Sequence, residues 1–152
     1  MKIQKVTKDD SIFKEIVECY YEWWGKKYYL CDEFYSLYLS YIKSDGLPNI
    51  YALVDSDILI GMYEINEHDR IEVDYAPFLA NVFVKEEFRG KGYSRLLIND
   101  SIEQAKKMGC DYFYLRSRHE NLYEKYGFEL ICEVETSLGK KRIFRKLINK
   151  SK

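Results

Sequence analysis

The amino-acid sequence predicts a single α/β (α+β) domain over residues 1–152, built on a central mixed, twisted β-sheet with helices on both faces. The length of 152 residues suits one ordinary domain. Apolar residues run continuously through several short segments, as in strands, and recur every three to four positions in others, as in helices. Residues 78–84, the helix after them and residues 111–116 have the pattern of a right-handed βαβ crossover, which makes those two strands parallel.

The predicted elements follow the order β-α-α-β-β-β-α-β-α-β-β. The first helix begins after Asp9, Asp10 and Ser11, whose side-chain oxygens favour N-caps, and ends at Gly25. The expected strands are residues 3–6, 50–54, 58–65, 78–84, 111–116, 128–132 and 141–147, and the other helices cover residues 32–43, the stretch up to 108, and 120–126. Residues 78–84 are apolar apart from Asn81, which predicts a central strand covered on both sides.

Composition disfavours several functional classes. Twenty-four Lys and Arg face 25 Asp and Glu, so we expect no nucleic-acid partner. No run of eighteen apolar residues is present and the N-terminus lacks a signal-peptide pattern, so we expect a cytoplasmic protein without a membrane partner. The four cysteines form no CxxC pair and there are only two histidines, so we expect no metal.

A glycine-containing turn between the strand 78–84 and the next helix is the strongest local signal. Two close glycines permit a tight turn, and the helix N-terminus and basic side chains add positive potential that suits a diphosphate. An ordinary glycine turn that binds nothing is the alternative. The dinucleotide and Walker A fingerprints are both absent. The turn consists of Arg89, Gly90, Lys91, Gly92, Tyr93 and Ser94.

The turn resembles the acetyl-CoA signature of the GCN5-related N-acetyltransferase (GNAT) superfamily, Arg/Gln-x-x-Gly-x-Gly/Ala. Arg89, Gly92 and Ser94 take those places, with Ser where Gly or Ala is usual. The lead-in, residues 82–88, is similar to the family's Val-x-Val-x-Pro-Glu-Tyr. Residues 123–128 match its Tyr-Glu-Lys-x-Gly-Phe block. The resemblance covers most of the chain from residue 50 onward and implies a GNAT-like fold.

The resemblance implies an N-acetyltransferase that moves the acetyl group of acetyl-CoA, a co-substrate, to a primary amine by direct attack in a ternary complex. Backbone groups of Val82 and Val84 would bind the pantetheine arm, and the N–H groups from Gly90 to Ser94 would hold the diphosphate. Tyr123 matches the general acid that protonates the CoA thiolate. A non-catalytic acyl-CoA-binding sensor or scaffold is the alternative function.

The general base and the acceptor site have no matching motif in this sequence. Some family members carry a carboxylate where this chain has Phe78, so Glu64 on the neighbouring strand is the candidate base, acting through water. Its alternative is an exposed carboxylate at a strand end. An aromatic N-terminal region and an acidic loop favour a small cationic amine as the acceptor, and a peptide or protein amine is the alternative. The sequence is also compatible with a homodimer. The loop carries Glu64, Glu67, Asp69, Glu72 and Asp74 against Arg70.

Overall fold

The structure, a computed structural model, describes residues 1–42, 46–67, 74–119, 121–136 and 139–149. The strands in these ranges are β1 (Lys2–Val6), β2 (Asn49–Asp55), β3 (Ile58–Asn66), β4 (Phe78–Val84), β5 (Tyr112–Ser117), β6 (Glu129–Thr136) and β7 (Gly139–Leu147). The α-helices are α1 (Phe13–Trp23), α2 (Cys31–Tyr41) and α3 (Tyr93–Met108).

All of these strands belong to one sheet, in the order β1-β2-β3-β4-β5-β7-β6. The neighbouring strands are antiparallel except β4 and β5, which run parallel and are connected along the chain through α3. The predicted mixed sheet and the βαβ crossover are therefore confirmed. The β4–β5 register holds only two residue pairs, Phe78 with Tyr114 and Leu79 with Leu115. Beyond Leu79 the two strands part.

Helices cover both faces of the sheet, as the sequence predicts. On one face, buried residues of α1 and α2 such as Ile16 and Phe34 pack with Ile50 and Met62 of the sheet. On the other face, α3 buries its apolar stripe against β3, β4 and β5. Complete burial of one such side chain contributes roughly 1.5–3 kcal/mol, so these two layers hold β4 in place. None of the helices in the described ranges has the length and apolar character needed to cross a membrane.

Two helix boundaries differ from the prediction. The residue before α1 is Ile12, which makes no side-chain cap, whereas Asp10 Oδ2 accepts a hydrogen bond from the Thr7 N–H at 2.6 Å. Asp10 therefore closes the preceding turn, a local bond that competes with helix capping. The predicted helix 120–126 is only a 3-10 turn, Glu124–Tyr126, and Asn121 before it has a left-handed φ of 62°. Residue 120 lies outside the described residues, as does residue 43 at the end of the second predicted helix.

The C-terminal hairpin is longer than its apolar runs predict, because opposite charges continue the pairing of β6 and β7. Glu129 lies 3.6 Å from Arg145, and Glu133 lies 3.8 Å from Arg142. Such cross-strand pairs stabilise a sheet by roughly 0.2–1 kcal/mol each. The predicted turn at residues 137–139 lies mostly outside the described residues.

Candidate active site

A β-bulge interrupts β4 at Asn81. On β3, Met62 and Glu64 are two positions apart, whereas their partners Phe83 and Ala80 are three positions apart on β4. Asn81 is in the left-handed region with φ of 51°, a conformation that Asn tolerates better than most residues. The extra residue changes which main-chain groups point to each side of β4.

The bulge turns main-chain groups of Val82 and Val84 toward the gap between β4 and β5. The N–H of Lys85 donates to the Ile60 carbonyl of β3 at 2.9 Å. Because main-chain groups alternate along a strand, those of Phe83 also point to β3, and those of Val82 and Val84 point the other way. The Val84 carbonyl there accepts a 2.8 Å hydrogen bond from Arg89 Nε. Because Arg89 occupies that carbonyl, the Val82 main-chain groups and the Val84 N–H are the ones at this edge with which an extended ligand could pair.

Two adjoining cavities form a cleft along this edge. One has a volume of about 370 Å³ and reaches the turn at residues 89–94. The other, of about 360 Å³, lies between β4 and β5 and is lined by Tyr123. Val82 and Trp23 line both cavities. The two predicted motifs are far apart in the chain, but residues of both therefore line one continuous cleft.

The glycine turn presents bare backbone to this cleft. Gly90 and Gly92 have φ of 80° and 82°, and a β-carbon at either would meet only open space. Gly92 is the N-cap of α3, whose first N–H groups lack helical partners and carry the positive end of the helix dipole. Arg89 lies 5.4 Å from the Phe83 ring, so its charge stays beside the cleft. The turn fits the diphosphate that the sequence predicts.

Tyr123 lies in the segment that follows β5. Its half-buried ring packs edge-to-face against Phe128, at 6.2 Å between centroids and an interplanar angle of 79°. Burial raises the pKa of Tyr123, with a smaller contribution from Tyr126. The phenol is therefore protonated at neutral pH and can donate a proton into the cleft.

Glu64 is fully buried, with 0% of its surface exposed, so its description as an exposed strand-end carboxylate is wrong. Its Oε2 accepts hydrogen bonds from the Tyr38 hydroxyl at 3.1 Å and the Asn81 amide at 2.9 Å. The Tyr20 hydroxyl donates to the Asn81 carbonyl at 3.2 Å. Burial, and then the Glu64 charge, raise the pKa of Tyr20. Glu64 thus belongs to a network beneath the bulge. Because it is buried, it does not contribute to the exposed charge of the acidic loop.

The aromatic N-terminal region, which the sequence predicts to face the acceptor, separates into core and surface. Tyr20, Phe34 and Tyr38 belong to the core, whereas Trp23 is 48% exposed and its ring lies 5.3 Å from Phe83. Of the acidic loop, Glu67 and Asp74 are exposed, and residues 68–73, with Asp69, Arg70 and Glu72, lie outside the described residues.

Sequence reasoning missed Asn81 and Arg118 at the cleft, whereas Trp23 belongs to the aromatic region that it predicted. A polar residue in an otherwise apolar strand is a signal that could have identified Asn81. The described residues contain no group of three or more His, Cys, Asp or Glu side chains that could hold a metal ion.

The model of the Acetyltransferase (GNAT) family matches residues 10–128, more than half of the chain. The chain belongs to this family. The resemblance to this family is therefore confirmed, and both motifs lie within the matched residues.

Two curated relatives are similar in sequence. An uncharacterized N-acetyltransferase of Bacillus subtilis is 33% identical over 85 residues, which cover 53% of this chain and 52% of the relative. An uncharacterized N-acetyltransferase of Methanocaldococcus jannaschii is 29% identical over 135 residues, which cover 84% of this chain and 60% of the relative. The matches thus span between half and three fifths of the relatives.

Solved structures share the GNAT fold. An aminoglycoside 6'-N-acetyltransferase complexed with coenzyme A has a TM-score of 0.77 at 16% identity, over 100% of this chain and 99% of that one. Spermidine N-acetyltransferase from Vibrio cholerae has a TM-score of 0.71 at 19% identity, over 97% and 95% of the two chains. At these identities the likeness shows the fold.

Proposed function

We propose that this GNAT protein is an acetyl-CoA-dependent N-acetyltransferase that acts on a primary amine by direct attack in a ternary complex. The observation that carries the proposal is the gap between β4 and β5, which main-chain groups of Val82 and Val84 face. The glycine turn lies at one part of the cleft and Tyr123 at another. Acetyl-CoA, when bound, supplies an activated thioester.

Main-chain groups of this chain would hold the co-substrate. Val82 and Val84 would pair with the pantetheine amides as a neighbouring strand does. The N–H groups of Gly90, Lys91, Gly92, Tyr93 and Ser94 would bind the diphosphate, with Arg89 adding charge. Ser94 departs from the family's Gly or Ala but supplies the same N–H.

In the transfer, the amine nitrogen forms a bond to the acetyl carbon and the carbon–sulfur bond breaks. The Val82 N–H would stabilise the oxygen that gains negative charge. Tyr123 would give its proton to the thiolate and regain one from solvent. With reference pKa values of about 10 for Tyr and about 8.5 for a thiol, that transfer is uphill by roughly 2 kcal/mol. Burial raises the pKa of Tyr123 and adds to this cost, so a nearby donor or water relay would assist.

The acceptor must lose a proton before it attacks, because an amine of pKa about 10.4 is neutral in only about one molecule in a few thousand at pH 7. Glu64 would accept that proton through a relay, since its buried carboxylate has no direct contact with solvent. Asn81 and Tyr38, which bond to Glu64, are the groups nearest to such a relay.

A non-catalytic acyl-CoA sensor or scaffold is the second candidate, and the burial of Glu64 favours it. Calorimetry with acetyl-CoA and release of free CoA with an amine panel decide between the two. The panel contains an aminoglycoside, spermidine, amino acids and a lysine peptide. We expect micromolar binding and amine-dependent release. Binding without release would favour the sensor, and absence of binding would overturn both functions.

A further inference from the structure

Three basic side chains share one face of the sheet beside the cleft. The β5–β7 register pairs Arg116 with Ile143 and Ser117 with Arg142. Continued by one residue, this register sets Arg118 opposite Lys141. Because alternate residues share a face, Arg116, Arg118 and Lys141 lie on the same side of the sheet. Their proximity is also seen in the pKa of Lys141, which burial lowers first and the charges of Arg118 and Arg116 lower further.

This face is the one that α2 covers farther along the sheet. Ala80 pairs with Glu64 across β3 and β4, and Glu64 bonds to Tyr38 of α2. The part over β5 and β7 carries a small apolar cluster of Phe78, Tyr114 and Ile143. The basic side chains therefore lie beside an apolar floor, an arrangement that suits an organic anion.

Lys141 is 7% exposed, and no described side chain forms a hydrogen bond or an ion pair with Lys141 or Arg118. The Lys141 ammonium beside the Arg118 guanidinium is unfavourable, because no described side chain supplies an opposite charge to either of them. An anion bound between them would relieve this repulsion. Arginine is well suited to carboxylate and phosphate because its planar donors bind two oxygens at once.

Two members of the cluster, Arg116 and Arg118, lie at the part of the cleft where the reaction would occur, and Lys141 is beside them across the β5–β7 pairing. Arg116, Arg118 and His119 line the cavity that Tyr123 also lines. The other cavity contains the glycine turn. Arg116 and Arg118 are thus apart from the predicted diphosphate site and share a cavity with the proposed general acid.

We propose that the acceptor carries an anionic group, a carboxylate or a phosphate, which Lys141 and Arg118 bind while its amine faces the thioester. This inference rests on the proposed function and names its substrate class. The acceptor would then be an amine of mixed charge, unlike a polyamine, whose additional ammonium groups the cluster would repel.

A series of chain-matched acceptors tests the proposal. It compares γ-aminobutyrate and ε-aminocaproate with the diamines and the amino alcohols of the same length, and phosphoethanolamine with ethanolamine. We expect kcat/KM to be at least tenfold higher for the anionic member of a pair. The carboxylate and phosphate arms identify the preferred anion. Equal or higher kcat/KM for the diamines would overturn the proposal.

Matched variants locate the effect. Lys141→Met and Arg118→Gln should each reduce the preference about tenfold by raising KM for the anionic acceptor only. Lys140→Met is the control, because Lys140 is exposed and lies 4.0 Å from Glu135 on the opposite face. A preference unchanged in both test variants would overturn the assignment to this cluster. Lys141→Gln replaces Lys141→Met if the latter does not fold.

Binding separates this inference from the proposed function. Calorimetry measures ε-aminocaproate and phosphoethanolamine against the CoA-loaded protein, with no turnover required. Binding that Lys141→Met weakens, without turnover of any acceptor, would support the anion site and contradict the transferase proposal. Turnover of amines with no preference for anionic acceptors would support the transferase proposal and contradict the anion site.

Discussion

The side-chain amide of Asn81 donates a hydrogen bond to Oε2 of Glu64 over 2.9 Å. This bond joins the bulge of β4 to β3, and hydroxyls from α1 and α2 join the same network. The conformation that turns Val82 and Val84 toward the cleft therefore depends on buried polar contacts beneath it.

Replacing Asn81 should weaken acetyl-CoA binding. Asn81→Ala loses the amide and places an unfavourable residue at φ of 51°, so we expect a loss of about 1–3 kcal/mol in the free energy of unfolding and a several-fold higher Kd. Asn81→Gly is the matched variant, because it tolerates the backbone and lacks only the amide. Urea unfolding and calorimetry measure both effects. Wild-type affinity in both variants would show that the amide does not maintain the bulge.

Gly92→Val should raise the Kd for acetyl-CoA at least tenfold, because a branched side chain would occupy the open space above the turn. Gly109→Val is the control, since Gly109 has a similar φ of 75° and open space at the other end of α3. Calorimetry on both folded variants gives the comparison. Equal affinities would contradict a diphosphate site at the turn.

Tyr123→Phe should lower kcat by ten- to a hundredfold while the Kd for acetyl-CoA changes little, because only the proton donor is removed. Tyr126→Phe is a nearby control outside the cleft-lining residues. Steady-state release of CoA at saturating acceptor measures kcat. An unchanged kcat in Tyr123→Phe would exclude the acid role.

Glu64→Gln should remove the acidic limb of the kcat/KM profile and lower the rate about tenfold or more, because the amide cannot accept a proton. The substitution keeps the shape of the side chain and its capacity to accept the Tyr38 hydrogen bond. Rates from pH 5.5 to 9 measure the profile. A retained limb with a reduced rate would assign Glu64 to positioning the bulge alone.

Stability should fall above about pH 10. The Tyr63 hydroxyl donates to Asp100 Oδ2 at 2.6 Å, and burial, followed by Asp100, raises the pKa of Tyr63 far above its usual value. The unfolded state loses this proton first, so the contribution of Tyr63 to the free energy of unfolding is constant below about pH 10 and decreases above it. Tyr63→Phe should lower stability at pH 7 by about 1.5–3 kcal/mol and flatten the alkaline decrease. Urea unfolding at pH 7, 9 and 11 measures this, with exposed Tyr28→Phe as the control, and an equal alkaline decrease in Tyr63→Phe would contradict it.

Much of the fold follows from local pattern. The apolar run of β4 predicts a strand and the helical period of α3 predicts a helix, and together they predict the crossover. Each pattern can be recognised because the residues that form the buried face of one element are close together in the chain. The end of β6 is harder to predict, because its charged residues are stabilised by partners on β7.

The sequence by itself identified the two motifs. The motifs in turn indicated the family, the glycine turn and Tyr123 as a candidate site residue. Only the tertiary structure decided that Glu64 is buried, that Asn81 forms a bulge, and that Lys141 lies beside Arg118. Each of these depends on which strand is the neighbour and in what register, and a shift of one residue would move every side chain to the opposite face. The motifs can be recognised from the spacing of their residues along the chain, whereas the environment of a single carboxylate or ammonium is set by contacts across the sheet.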